Sequence, residues 1–179
     1  MTKTLNLICM LFIGAAVLTI QGCGESATPA FEVALEVQFD IPNSGVAPGF
    51  RGTRTISGVN TFFAQNLSNN GMSLSDVTSI SSGRAVFQSN YQNIDLSFIH
   101  EISILAVDRE NPSTKREMFY LTDIRFDEDY STELFGSLSE LKDILSDPLI
   151  DLEIVLDYRN TIPVNFIGEL QFTYLVFDE

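Results

Sequence analysis

The chain has 179 residues, with 24 Asp and Glu against 10 Lys and Arg, and a formal net charge of −14. Such a chain lacks the clustered cations that a phosphate backbone requires, which excludes nucleic acid as a partner and argues against electrostatic adsorption to anionic headgroups. Hydrophobic residues make up 45% and charged residues 19%, a globular rather than a disordered composition.

The chain opens with one cation, Lys3, followed by an apolar stretch from Leu5 to Ile20 and then Ile20-Gln21-Gly22-Cys23. A positive start, a short apolar run and a small residue before a cut describe a secretory signal peptide over residues 1–22. The run is short for a membrane span, which needs about 20 apolar residues. Ile20-Gln21-Gly22-Cys23 resembles the bacterial lipobox, with an aliphatic residue three positions before the Cys and a small one just before it; Gln21 departs from the small residue usual there. The resemblance implies cleavage before Cys23 and acylation of its thiol, so that the membrane is a partner through that lipid. Gly24, where an Asp would mark inner-membrane retention, implies the outer membrane of a bacterial envelope.

Cys9 is the only other cysteine and lies in the removed part, so lipidation accounts for a thiol with no internal partner. One acyl chain binds only marginally, each buried methylene contributing about 0.8 kcal/mol. The two or three chains implied by the lipobox hold stably. Residues 23–30, rich in small side chains, read as a tether. Residues 31–179 then form one domain, large enough to bury a core without cross-links. Loss of Lys3 with the signal takes the net charge from −14 to −15.

In Phe31–Ile41 every second residue is apolar (Phe31, Val33, Leu35, Val37, Phe39, Ile41), which predicts a half-buried strand of the antiparallel type. Pro42-Asn43-Ser44-Gly45 is turn chemistry. A strand is expected through Arg51–Ser57, then a short helix over Phe62–Leu67 with Asn60-Thr61 as cap and Ser68-Asn69-Asn70-Gly71 as stop. Leu74–Ile80 and Arg84–Ser89 read as paired strands around a Ser81-Ser82-Gly83 turn. Asn93–Ile99 reads as a turn capped by Asp95, followed by a strand over Glu101–Val107, a polar loop over Asp108–Thr114 and a strand or strand pair over Glu117–Phe126.

Ser137-Leu138-Ser139-Glu140 has the spacing of a capping box, with Leu138, Leu141, Ile144 and Leu145 at helical spacing behind it and Pro148 as stop. Ile150–Tyr158 and Phe166–Val176 alternate strongly and predict a long hairpin or a corner between sheets. About seven strands, one or two short helices and no βαβ rhythm predict a mainly β fold, an antiparallel β-sandwich of immunoglobulin-like or related type.

Chemistry-bearing motifs are sparse. His100 is the one histidine, at the edge of a strand, and a lone histidine is expected to be a surface or cap residue rather than a catalyst. No Gly-x-Ser-x-Gly elbow is present, and Gly45, Gly49, Gly52 and Gly58 lack the spacing of a phosphate loop. Asp127, Asp129, Ser131 and Glu133 alternate, a weak candidate for calcium. Thr132 stands where an EF-hand needs its turn glycine, and Leu138 where it needs its bidentate acid, so a solvated acidic loop is the expectation. Glu32 with Glu36, and Asp151 with Glu153, share strand faces as candidate carboxylate pairs. No cofactor is expected.

Three functions follow as expectations. The first is a non-catalytic binding or assembly lipoprotein with a protein, glycan or apolar partner. The second is a carrier holding an apolar ligand between sheets lined by Phe62, Phe63, Phe87, Phe98 and Phe135. The third is a hydrolase of envelope carbohydrate.

Overall fold

The computed structural model describes residues 28–42, 48–90, 94–124, 130–162 and 165–178. The signal segment, Cys23, the tether as far as Ala27, Asn43-Ser44-Gly45, Asn93, Asp127, Asp129 and Pro163 lie outside the described residues. The elements in chain order are β1 (Phe31–Ile41), β2 (Arg51–Asn60), α1 (Phe63–Asn69), a 3-10 turn (Leu74–Asp76), β3 (Ser79–Ser89), β4 (Ile99–Val107), β5 (Lys115–Leu121), β6 (Ser131–Gly136), α2 (Lys142–Leu145), β7 (Leu149–Tyr158) and β8 (Phe166–Phe177).

The eight strands follow the order β1-β8-β3-β6-β5-β4-β7-β2 in one nearly closed sheet. Every ladder is antiparallel. Pairing runs from the ends of the chain inward: β1 with β8, β2 with β7, β3 with β6, β4 with β5. A long hairpin rolled on itself gives this wiring, the double Greek key of a jelly roll. Between β5 and β6 the ladder shrinks to Phe119↔Gly136 and Tyr120↔Phe135. The sheet folds there into two layers, β1-β8-β3-β6 and β2-β7-β4-β5. The antiparallel β-sandwich expected from the strand rhythm is what the chain forms.

Strand direction alternates along the chain, so the described start and finish share one end of the sandwich. Ala30 N–H donates to Val176 O (2.7 Å) and Thr78 N–H to Phe177 O (2.8 Å). The β2–β3 and β6–β7 connections cross this same terminal end, where Thr61 N–H donates to Pro148 O (3.1 Å) and Leu141 N–H to Ile80 O (2.9 Å). At the opposite, distal end β1, β3, β5 and β7 finish and β2, β4, β6 and β8 begin.

The core fills with the inward residues of the alternating strands: Val33, Leu35, Phe39 and Ile41 of β1, Ile150 to Tyr158 of β7, and Phe166 to Val176 of β8. An aromatic chain runs through it, from Phe39 to Phe87 (5.8 Å between ring centres), Phe166 (6.3 Å), Phe98 (5.2 Å) and Tyr158 (6.4 Å). Each such ring contributes about 1.5–3 kcal/mol by leaving water. Gly168 makes the Phe39–Phe87 contact possible, since a Cβ there would stand 2.9 Å from an atom of each ring.

Several local expectations change. Leu74–Ile80 and Arg84–Ser89 do not pair around a turn: Leu74–Asp76 is a 3-10 turn, and β3 runs straight through Ser81-Ser82-Gly83 with a bulge between Ser82 and Ala85. The reason is local. Gly83 lies against the Thr173 side chain, where no Cβ fits, and Arg84 N–H donates to Thr173 Oγ1 (2.9 Å), so the chain bulges rather than reverses. β7 and β8 make no hairpin; they belong to opposite layers and their connection is a corner.

The first helix starts at Phe63, because Phe62 takes a left-handed conformation with φ 55°. Glu140 does not close a capping box with Ser137. Its Oε1 accepts Ile80 N–H and Lys142 N–H (both 2.9 Å), so the helix it starts is the single turn α2. The strand or strand pair expected over Glu117–Phe126 is, among the described residues, one strand that ends at Leu121, with Arg125 and Phe126 outside them, and a further strand, β6, follows at Ser131–Gly136.

Candidate functional site

Of the sequence-predicted site residues, Cys23, Asp127 and Asp129 lie outside the described residues. Ser131 and Glu133 stand on the outer face of β6, exposed and two apart. Among the described residues no three His, Cys, Asp or Glu side chains are grouped to hold a metal ion.

His100 is the second residue of β4, at the distal end. Arg159 Nη2 donates to Asp123 Oδ1 (2.8 Å) and lies 3.1 Å from His100 Nδ1. The same Nδ1 lies 3.5 Å from Asp123 Oδ1. Nε2 is 3.9 Å from Glu101 Oε1. The ring thus belongs to an ion-pair cluster that ties the β7–β8 corner to β4.

Of the candidate carboxylate pairs, Asp151 and Glu153 are likewise in structural use. Asp151 faces Arg109 Nε (3.1 Å) and accepts Gly58 N–H at the β2 bulge (2.9 Å). Glu153 pairs with Lys115 Nζ (2.5 Å). Glu32 and Glu36 are exposed on the outer face of β1, which forms one edge of the sheet. A shallow hollow of about 480 Å³ on the outer face of β2, β7, β4 and β5 includes Arg51, Glu101, Tyr120 and Asp157. Arg51 grips Asp157 with both Nε and Nη2 (2.7 Å each), and this bond holds the Asp157 carboxyl below its usual range and raises the guanidinium.

The five phenylalanines proposed to line a cavity do not come together. Phe63, Phe87 and Phe98 are packed into the core, and Phe62 and Phe135 face outward. Phe135 instead pairs with Tyr120 across the β5–β6 seam, ring centres 6.0 Å apart.

A constellation that sequence reasoning missed lies on the outer face of β1, β8 and β3. Register places Gln38, Glu169 and Gln88 in one row across the three strands. Glu169 Oε1 accepts from Gln88 Nε2 (2.6 Å) and Gln171 Nε2 (2.7 Å), and Oε2 accepts from Gln38 Nε2 (3.2 Å). Glu169 is only 8% exposed, and no Lys or Arg is among these partners. A carboxylate only accepts, so each glutamine must turn its NH₂ toward it. Each amide then keeps a C=O and a second N–H for another partner, in an orientation already fixed. The next row is Glu36↔Gln171↔Val86. Beside it opens a hollow of about 430 Å³ lined by Glu36, Arg84, Gln171 and Thr173 around Ala34 and Val86. Gln38, Glu169 and Gln171 were visible as outward positions of alternating strands. Only the pairing register shows that they converge.

The fold defines the class as an eight-stranded antiparallel jelly roll with a glutamine-clamped carboxylate on one outer face. The chain matches no known protein family and no curated protein. Among solved structures it is similar to infectious bursal disease virus, Gt strain, at 11% identity and a TM-score of 0.34, over 86% of this chain and 34% of that one. It is also similar to the Macrobrachium rosenbergii nodavirus P-domain (10% identity, TM-score 0.27, 83% of this chain and 98% of that one). A third is Desmodium yellow mottle tymovirus (7% identity, TM-score 0.28, 90% and 97%). The first similarity spans about a third of the viral chain, and none of the three is close enough to carry an argument about this protein.

Proposed function

We propose that the protein is an envelope lipoprotein, held by acyl chains on Cys23 and directed by Gly24 to the outer membrane, whose jelly roll is a non-catalytic binding module. The observation that carries the binding reading is the Glu169 row. Three amides pinned to one shielded carboxylate form a pre-organised array of donors and acceptors, which lowers the ordering cost of binding. Such an array suits a ligand rich in hydroxyl or amide groups. The Ile20-Gln21-Gly22-Cys23 motif supports the anchor.

Two measurements test the reading. Fractionation of the full chain should place it in the membrane, and Cys23→Ser should release it to the soluble fraction; a wild-type chain that is soluble sinks the anchor. Capture from detergent-solubilised envelope should yield a component that binds wild type and is lost with Gln88→Leu and Gln171→Leu. Capture unchanged by both substitutions moves the binding site off this face.

A further inference from the structure

The terminal end of the sandwich, where the chain leads back from Phe31 toward Cys23, carries four large apolar side chains in water. Phe62 is 45% exposed, Leu74 51%, Leu138 103% and Leu149 40%. Phe62 and Leu74 belong to the β2–β3 connection, Leu138 to the β6–β7 connection, and Leu149 begins β7 opposite Asn60. Their placement is built in. Phe62 is held in its left-handed conformation by a hydrogen bond from its N–H to Asn60 Oδ1 (2.8 Å) and another from Asn66 Nδ2 to its carbonyl (2.9 Å), while its neighbour Phe63 enters the core. Large apolar side chains left in water at one place mark a contact surface.

What that surface meets follows from the chain. Eight links separate Cys23 from Phe31, a reach of at most about 29 Å. Acyl chains on Cys23 would therefore hold this end, and not the distal one, beside a bilayer. We infer that the terminal end rests in the interfacial layer of that bilayer, with Phe62, Leu74 and Leu138 entering the boundary between headgroups and acyl chains. The inference rests on the reading of Cys23 as the anchor. Apolar side chains at this depth gain by leaving water while the polar body of the domain stays outside. The charged groups at this end, which also holds the β4–β5 connection, are mainly acidic: Asp76, Asp108, Glu110, Glu140, Asp143, Asp147 and Asp178 against Lys142, with Arg109, Lys115 and Arg116 already committed to Asp151 (3.1 Å), Glu153 (2.5 Å) and Asp143 (2.7 Å). The surface that fits is consequently a zwitterionic one.

The absence of tryptophan makes a clean test. The mature chain, whose only cysteine is Cys23, is coupled through that thiol to a maleimide lipid in phosphatidylcholine vesicles. Single Trp reporters are placed by Leu138→Trp, Phe62→Trp and, as the distal control, Phe50→Trp, at an aromatic 54% exposed. The expected result is blue-shifted emission for the Leu138→Trp and Phe62→Trp chains, quenched severalfold more by shallow-brominated lipid than that of the Phe50→Trp chain. Unshifted, unquenched emission from both, or equal quenching at the distal control, overturns the inference. Leu74→Trp replaces either reporter whose chain does not melt like wild type. Because the coupling is chemical, this outcome is independent of native acylation, which is read separately from the mass of the Cys23 peptide isolated from membranes.

Discussion

The hydroxyl of Tyr174, deep in β8, donates to the backbone carbonyl of Thr61 at 2.8 Å across a sequence separation of 113 residues. Both residues are fully buried, and burial raises the phenol well above its ordinary range. The bond fastens the last strand to the connection that lifts Phe62 into solvent. Tyr174→Phe should leave the Thr61 carbonyl unsatisfied and cost about 1–3 kcal/mol in urea unfolding. A group whose folded value is raised stabilises below its unfolded value, near pH 10 for tyrosine, and loses that stabilisation as pH climbs through the folded value. Wild type should therefore lose its advantage over Tyr174→Phe in melts at strongly alkaline pH.

Gly168 tests the core. Its missing side chain is where Phe39 and Phe87 approach, so Gly168→Ala forces one ring aside and should cost about 1–3 kcal/mol. Trimming Phe39 to Leu in the same chain should recover part of the loss in a double-mutant cycle. Full additivity would show that the two sites do not meet.

Phe62 separates stability from contact. A bulky residue in the left-handed region costs on the order of 1–3 kcal/mol, which glycine does not incur. Phe62→Gly should raise the midpoint of thermal unfolding although it deletes a large side chain. A lower midpoint would show that the ring stabilises the domain more than its backbone conformation costs.

The Arg51–Asp157 pair sets an acid limit. The hydrogen bond from Arg51 lowers the Asp157 carboxyl, so its contribution is complete above the ordinary carboxylate range and fades as pH falls through the lowered value. Asp157→Asn should lower the melting temperature slightly at pH 7, and the difference should vanish in strong acid. Arg51 is 67% exposed, so molar salt should also shrink it.

The legible parts of the fold were those where one face is apolar throughout. β1, β7 and β8 alternate over ten or more residues, and every expected inward position of β7 and β8 is buried. β6 escaped because its two inward residues are Thr132 and Leu134, too few and too mixed to stand out from the acids before them. The Ser81-Ser82-Gly83 segment carries turn residues, yet its conformation is decided by Thr173 on a neighbouring strand. Glu140 matches a capping box in spacing, but the N–H it caps belongs to Ile80, 60 residues away. The Glu169 cluster escaped for the same reason: its members sit on three strands, and sequence periodicity carries the face of a residue but not its row.

β1 has a consequence for crowding. It borders the sheet with eleven residues, Glu32, Glu36 and Asp40 spaced four apart on its outer side. Bare edges template lateral growth, a hazard that rises when copies are confined to two dimensions. Two such strands brought together head to tail with their apolar faces aligned would bring these carboxylates into opposition, and like charges directly opposed destabilise a ladder. The acids of β1 would keep neighbouring copies, wherever they crowd together, from knitting into a continuous fibre.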